Sequence, residues 1–368
     1  ENIAAATERV APDLRQAMET AARRIRVFHE CQPVHSWTTD TLGGRIGQRV
    51  TPINRVGVYV PGGTAPLPSS LLMSVIPAQV AGVPEIVVAT PPRSDGSVAD
   101  VIMAAAQIAG IKQIYTLGGA QAVAALAYGT ESIPPVDKIV GAGNLFVTLA
   151  KRAVYGQVGI DGLYGPTETV VIADETANPE WVAADLLAQA EHDVLATAIL
   201  LTSSEALAQA VQAAVAGQIE RLSRAEIIAV SLANQSGIVL CRDLDQAAML
   251  ANEFAPEHLC ISAAAAGDLA QQIDNAGGIF LGERSFEVLG DYIAGPSHVM
   301  PTGHSARFSS PLNVLDFVKF ISIVELDEAT TSELSPAAAR IAQAESLTAH
   351  AQAALFRSQP PGMSDRNP

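Results

Sequence analysis

The sequence predicts an α/β fold made of two doubly wound, Rossmann-like units followed by a mostly helical C-terminal segment. Three patterns lead there. From Arg55 onward, short apolar runs bounded by Gly or Pro alternate with Ala-rich stretches at helical spacing. The alternation starts afresh after Asp174, and strand signals thin out past Asp316. The 368 residues suffice for two domains, and a content of 49% hydrophobic with 16% charged residues describes a well-packed chain rather than a disordered one.

The elements follow in order. Residues 12–30 place Leu14, Met18, Ala21, Ile25 and Phe28 at helical spacing, the pattern of an amphipathic helix. V-G-V-Y-V, E-I-V-V-A-T, Q-I-Y-T-L, K-I-V and T-V-V-I-A then read as fully buried parallel strands, with crossover helices between them. The second series runs from a helix near 178–192 to the strand A-I-L-L-T, a helix near 205–218 and the strand G-I-V-L-C. It continues through a helix near 244–253, the strand H-L-C-I, a helix near 266–275 and the strand G-I-F-L-G. The scheme repeats, but the sequence itself contains no repeat. Past Asp316 an Ala-rich helical stretch reaches about Arg357, and a Pro/Gly/Ser-rich tail is expected to fray.

Charge and cysteine usage narrow the function classes. A net charge of -16 disfavours nucleic acid or an anionic membrane as the main partner, because both would be repelled, and favours a small ligand. Cys31, Cys241 and Cys260 are widely spaced and form no C-x-x-C pair, so neither a disulfide frame nor a thiolate zinc site is indicated. No secretory h-region and no bilayer-length apolar run is present, and the expected compartment is the cytoplasm. The chain opens with Glu1 rather than Met, so its natural start is expected upstream.

Several residues could carry chemistry. In F-A-P-E-H-L-C-I, Glu257 and His258 stand side by side just ahead of a strand, a carboxylate able to activate water next to a base that titrates near neutrality. Neighbours in extended chain point to opposite faces, so at least one of the two is expected to be exposed. Gly-rich turns end three strands of the first unit, P-G-G-T-A-P at 61–66, G-G-A-Q-A at 118–122 and G-A-G-N at 141–144. None is G-x-G-x-x-G, yet their recurrence on one sheet edge suits a nucleotide crevice. Gln189 and His192 share one face of a helix whose Leu186 and Leu187 face the core, a spacing that can hold one metal ion or merely end a helix. Asp291 follows an expected strand end, His298 lies in the loop G-P-S-H, and Glu345 and His350 sit in the late helix. Caps and surface histidines account for each of these taken singly.

Together the segments closely resemble the histidinol dehydrogenase family, from about Arg23 to His350. The resemblance rests on ordered motifs: R-V-G-V-Y-V-P-G-G, L-G-G-A-Q-A-V-A-A-L-A-Y-G-T-E, V-D-K-I-V-G-A-G-N, A-A-D-L-L-A-Q-A-E-H-D, F-A-P-E-H-L, G-D-Y-I-A-G-P-S-H-V-M-P-T and L-T-A-H. It implies a zinc-dependent, NAD-linked oxidation of L-histidinol to L-histidine, the last step of histidine biosynthesis. The family's zinc ligands fall on Gln189, His192, Asp291 and His350, and its catalytic pair on Glu257 and His258. Thr167, His298 and Glu345 match substrate-holding positions, and Tyr59, Gln121 and Asn144 match NAD contacts. The implied division is a zinc-bearing catalytic domain of 1–58 plus 168–312, an NAD-binding domain of 59–167, and a C-terminal segment, 313–368. That segment crosses to the partner of a homodimer, so that Glu345 and His350 complete the neighbour's site.

Departures from the family pattern are Thr167 for a usual Ser in G-P-S-E, G-A-G-N for G-P-G-N, and His304 at a position that is commonly Gly. Relatives also carry a further helical set before the position of Glu1. Three other functions compete: oxidation of another small polar alcohol, such as a hydroxylated sulfonate; zinc-dependent hydrolysis by Glu257 and His258 without nucleotide; and non-catalytic binding.

Overall fold

A computed structural model describes residues 3–62 and 66–357. Gly63, Thr64 and Ala65, in the middle of the first glycine turn, and the tail from 358 lie outside the described residues. The strands in chain order are β1 (Trp37–Thr39), β2 (Arg45–Pro52), β3 (Arg55–Tyr59), β4 (Glu85–Thr90), β5 (Ile114–Thr116), β6 (Lys138–Val140), β7 (Gly159–Ile160), β8 (Glu168–Ala173), β9 (Thr197–Thr202), β10 (Gly237–Leu240), β11 (His258–Ser262), β12 (Gly278–Leu281) and β13 (Val318–Glu325). One compact unit comprises the described residues of Glu1–Gln32 and Pro52–Phe317, and the other those of Pro33–Thr51 and Val318–Pro368.

The first unit contains two five-stranded sheets, ordered β5-β4-β3-β6-β7 and β10-β9-β8-β11-β12. Every pairing in them is parallel. Counted within each sheet, both orders are 3-2-1-4-5, so the doubly wound reading holds twice over. The switch points, where the winding reverses, fall between β3 and β6 and between β8 and β11.

Apolar runs without polar alternation become strands because both faces are covered. In β3 and the residue after it, Val56, Val58 and Val60 join one buried cluster with Leu72, Ile76 and Ile102, while Tyr59 joins another with Val123 and Leu126. In β8, Val171 and Ala173 pack with Leu186 and Leu207, whereas Val170 and Ile172 pack with Ala247 and Leu259. Each sheet is thus sandwiched by its own crossover helices. In the helix Pro12–Glu30, Met18, Ala21 and Ile25 are buried as their spacing predicts, although Leu14 and Phe28 remain exposed.

Some elements depart from the sequence reading. T-V-V-I-A is the central strand of the second sheet rather than the last of the first. Residues 55–58 pair with β4 and β6, so they join the first sheet and not the second. The second unit holds a three-stranded sheet, β1-β2-β13, with β1 and β2 antiparallel, ahead of the helices Glu328–Ala344 and Thr348–Leu355. Its strands escape a burial-based pattern because Phe320, Ile321 and Val324 of β13 are exposed. No helix among the described residues is long and apolar enough to cross a membrane.

Candidate active site

Two sheet edges contribute to one cavity of about 190 Å³ in the first unit. The first sheet offers its carboxyl edge: Ala142, two residues past the end of β6, lines the cavity with Leu67 and Ser70. The second offers its amino edge, where Thr167 precedes β8 and Glu257 precedes β11. These two strands pair from Thr169↔His258 onward, so their leading residues meet side by side.

Thr167 Oγ1 donates to Glu257 Oε2 at 2.5 Å and accepts from Gln189 Nε2 at 2.8 Å. The backbone N–H of Glu168 also donates to Glu257 Oε2, at 3.2 Å. His258 lies with Nε2 3.1 Å from Asp291 Oδ1 and Nδ1 3.4 Å from the Glu168 carbonyl. Asp291 continues the chain of contacts through its backbone carbonyl, which accepts from His298 Nδ1 at 2.7 Å; His298 Nε2 is 3.1 Å from Ser70 Oγ. The neutral tautomer of His298 with its proton on Nδ1 satisfies both contacts, the serine hydroxyl then donating to Nε2.

The expectation that Glu257 or His258 would be exposed is overturned: they are 7% and 3% exposed. Opposite orientation does not bring exposure here, because β11 is an interior strand with helices on both faces and its leading edge lies under the cavity. Asp291 is also relocated, from a strand end to the short helix Glu287–Tyr292. That helix reveals a residue the sequence reading missed. Glu287 is 1% exposed, accepts from Thr169 Oγ1 at 2.5 Å and approaches His258 Nδ1 at 4.0 Å. Its signal was the four-residue spacing to Asp291, which shares a face only once a helix is assigned.

Burial dominates the electrostatics. It pushes Glu257 up to about 7, against the lowering effect of His258 and of the Thr167 hydrogen bond. It likewise raises Glu287 to about 7. For His258 burial opposes the charged form, but the Glu287, Glu257 and Asp291 carboxylates together hold its pKa well above that of ordinary imidazole. This arrangement favours the imidazolium form of His258. Burial would raise Asp291, yet its hydrogen bond to His258 and the surrounding histidines bring it below the usual carboxylate range. His192 and His298 are shifted down by burial, so both favour the neutral, lone-pair-bearing form.

The helix Pro179–Ala190 places Gln189 fully buried, with Leu186 and Leu187 facing the core as expected, and His192 falls just beyond its C-cap Glu191. The Gln189 amide is oriented by its donation to Thr167, and its Oε1 is buried without a hydrogen-bond partner. An oriented, unsatisfied oxygen, a histidine that favours its neutral form and an ionised Asp291 make up an N/O donor set of the type that suits zinc, and His192 and Asp291 line the same cavity. His258, Glu287 and Asp291 also bring ligand atoms within 4.8 Å of one another. Asp291 therefore belongs to both groupings.

At the carboxyl edge of the first sheet the backbones run close together. A side chain at Gly141 would put its Cβ 2.2 Å from the Tyr59 carbonyl oxygen, and one at Gly118 would lie 2.5 Å from Pro91. The Tyr59 hydroxyl accepts from the Gly119 N–H at 3.2 Å, and Asn144 caps the helix Leu145–Val154 by accepting from Val147 N–H. Gln121 is exposed in the helix Gly119–Tyr128. These residues border the β3/β6 switch point, where helix N-termini can meet phosphate. Glu345 and His350 belong to the second unit, at the C-cap of the helix Glu328–Ala344 and within the helix Thr348–Leu355.

Paired 3-2-1-4-5 sheets with buried acid–base groups and N/O donors at a shared cavity mark an α/β enzyme acting on a small polar molecule. A sequence profile of the family described as histidinol dehydrogenase matches residues 1–358. Histidinol dehydrogenase of Deinococcus radiodurans is 53% identical over 95% of this chain and 80% of its own length. That of Moorella thermoacetica is 52% identical over 98% and 85%. The crystal structure of histidinol dehydrogenase from Elizabethkingia anophelis superposes with a TM-score of 0.93 at 39% identity, covering 96% of this chain and 82% of that one. The chain belongs to the histidinol dehydrogenase family and is an oxidoreductase.

Proposed function

We propose that the protein oxidises L-histidinol to L-histidine through histidinal, using NAD as hydride acceptor and zinc as a bound metal. The observation that carries this reading is the buried cluster of Gln189, Thr167, Glu257, His258 and Asp291, hydrogen-bonded at one cavity in a chain of this family. Family membership in an oxidoreductase set aside the hydrolytic and non-catalytic alternatives.

Gln189, His192 and Asp291 are the residues that would hold the metal, with His350 of a second copy as fourth ligand. A zinc ion there would supply a Lewis acid that fixes the substrate's amine and imidazole nitrogens. The segments carrying Tyr59, Gln121 and Asn144 would hold NAD, which would supply the hydride acceptor, one molecule for each of the two oxidations. His258 takes the carbinol O–H proton as the C–H hydride leaves, giving the aldehyde. That role needs the neutral imidazole, which the Glu287, Glu257 and Asp291 carboxylates disfavour until their charge is protonated or engaged by another cation. Glu257, poised near neutrality, accepts a proton from the water that adds to the aldehyde, while His258 returns its proton to the carbonyl oxygen and becomes a free base again. His258 then takes a hydroxyl proton of the hydrate as the second hydride departs, leaving the carboxylic acid, which ionises to the carboxylate. His298 and, from the second copy, Glu345 orient the substrate.

The test combines metal analysis of purified protein with NADH formation from L-histidinol and from other alcohols, hydroxylated sulfonates included. Bound zinc and selective turnover of histidinol are expected. Turnover of another alcohol with none of histidinol would overturn the substrate assignment.

A further inference from the structure

Beneath the glycine turn that follows β6 lies an ion pair that the chemistry above does not use. Lys151 and Asp161 have side chains only 2% and 1% exposed, and their charged groups are 2.5 Å apart. Both also grip one residue. Asp161 Oδ2 accepts from the Gly141 N–H at 2.7 Å, while Lys151 Nζ donates to the Gly141 carbonyl at 2.9 Å. The Gly162 N–H fixes Asp161 by donating to Oδ1 at 2.8 Å, and the ammonium stands 4.7 Å from the centroid of the Tyr164 ring.

The location gives this arrangement its meaning. Gly141 has φ +110° and rides directly over the Tyr59 carbonyl at the switch point. Three residues later Asn144 caps the helix Leu145–Val154, and Lys151 reaches back from the last turn of that same helix. Asp161 follows β7, the strand beside β6. Ala142 and Tyr164 both line the substrate cavity. The pair therefore connects the turn assigned to the dinucleotide with a wall of the pocket.

Burying two charges is a poor way to gain stability, since an apolar pair of similar volume generally does as well or better. What an apolar pair cannot do is hold both the N–H and the C=O of one glycine residue, and with them the two peptide planes that flank it. We propose that Lys151 and Asp161 are positioning residues that preset the turn 141–144 for the dinucleotide and keep it in register with the substrate cavity. This rests on the reading of the first sheet as the NAD site.

The experiment compares the parent protein with Lys151→Met and with Lys151→Met/Asp161→Leu, in which no unpaired buried charge remains. In folded variants NAD should bind about tenfold more weakly by calorimetric titration, the equivalent of one hydrogen bond. The kcat for histidinol oxidation should fall about 100-fold through misplacement of the reacting atoms. Zinc content should stay at the parental level. If the pair served stability alone, folded variants would keep parental NAD affinity and kcat, and the proposal would fail. A measurement on the parent protein decides the matter should both variants misfold: backbone amides of 141–147 should exchange slowly without NAD. Fast exchange that slows only when NAD is added would show that the ligand, not the pair, orders the turn. Absence of NAD binding by the parent would instead sink the cofactor reading itself.

Discussion

The Thr167 hydroxyl joins the side of the cavity proposed to bind metal to the acid–base side, because it holds the Gln189 amide with a lone pair and the Glu257 carboxylate with its proton. A serine hydroxyl could make both bonds, so the Thr at this family position preserves the connection. The donated bond favours the ionised form of Glu257, whose pKa burial has raised to about 7. As a base toward water Glu257 must be ionised, so the aldehyde-oxidising rate should rise with pH through about 7. Thr167→Val removes the donor and should move this acidic limb to higher pH, whereas Thr167→Ser should leave it in place. A pH profile of histidinal oxidation that is identical in the valine variant would refute the coupling. His258→Asn should keep its zinc while losing about 10²–10⁴ of the NADH-forming rate, the usual contribution of a positioned base; metal analysis alongside steady-state kinetics reads both. The adjacent Glu and His were legible as chemistry from their types alone, but their burial was not. It depends on β8 and β11 lying side by side, and that pairing joins residues 89 positions apart. Glu287 stayed hidden for a related reason, since a lone acid before V-L-G-D gains significance only when Thr169 and His258 are brought beside it.

The helix Pro179–Ala190 shows how an element can position a proposed ligand, Gln189, accurately. Asn178 caps it by accepting from the Glu180 N–H at 3.0 Å, and Pro179 occupies the first turn, where no N–H is needed. Val182, Ala183, Leu186 and Leu187 anchor it to the core, which fixes the rotation that turns Gln189 inward. Asn178→Ala should cost about 1 kcal/mol of stability, seen as a melting temperature lower by roughly 2–4 °C. Zinc affinity should hardly change, because the packed middle of the helix, not its first turn, sets Gln189. A large loss of zinc at unchanged melting temperature would contradict this division of labour. The same helix was readable from sequence, as were the strands buried on both faces, because burial imposes a pattern on composition. The hairpin of β1 and β2 and the strand β13 carry no such pattern: Trp37, Phe320 and Val324 are exposed, and backbone pairing defines these strands. The substitution of His for Gly at position 304 also has a local account. The residue adopts φ +64°, which costs a side chain strain, and its ring nitrogen is hydrogen-bonded to the Phe254 carbonyl at 2.5 Å.

At the scale of the whole molecule, the second unit buries little of its own. Its buried apolar cluster consists of Ala339, Ala342 and Ala351, while Phe320, Leu334, Ile341, Leu347 and Phe356 are exposed. On the first unit, Val194, Leu195 and Tyr292 are likewise exposed beside His192 and Asp291 in sequence. Apolar surface of this extent on both units fits association with a second copy, and supports the proposal that His350 and Glu345 serve the neighbour's site. Subunit complementation provides the test. His192→Ala and His350→Ala should each be nearly inactive and poor in zinc. When the two variants are unfolded together and refolded as a mixture, random pairing makes half of the dimers mixed. In a mixed dimer with shared sites, one site unites the intact His192 of one chain with the intact His350 of the other, and the second site collects both substitutions. One working site in every mixed dimer should restore roughly a quarter of the parental activity and zinc content. If each chain instead built its site entirely from its own residues, no pairing could reunite the two histidines and the mixture would stay as inactive as its components.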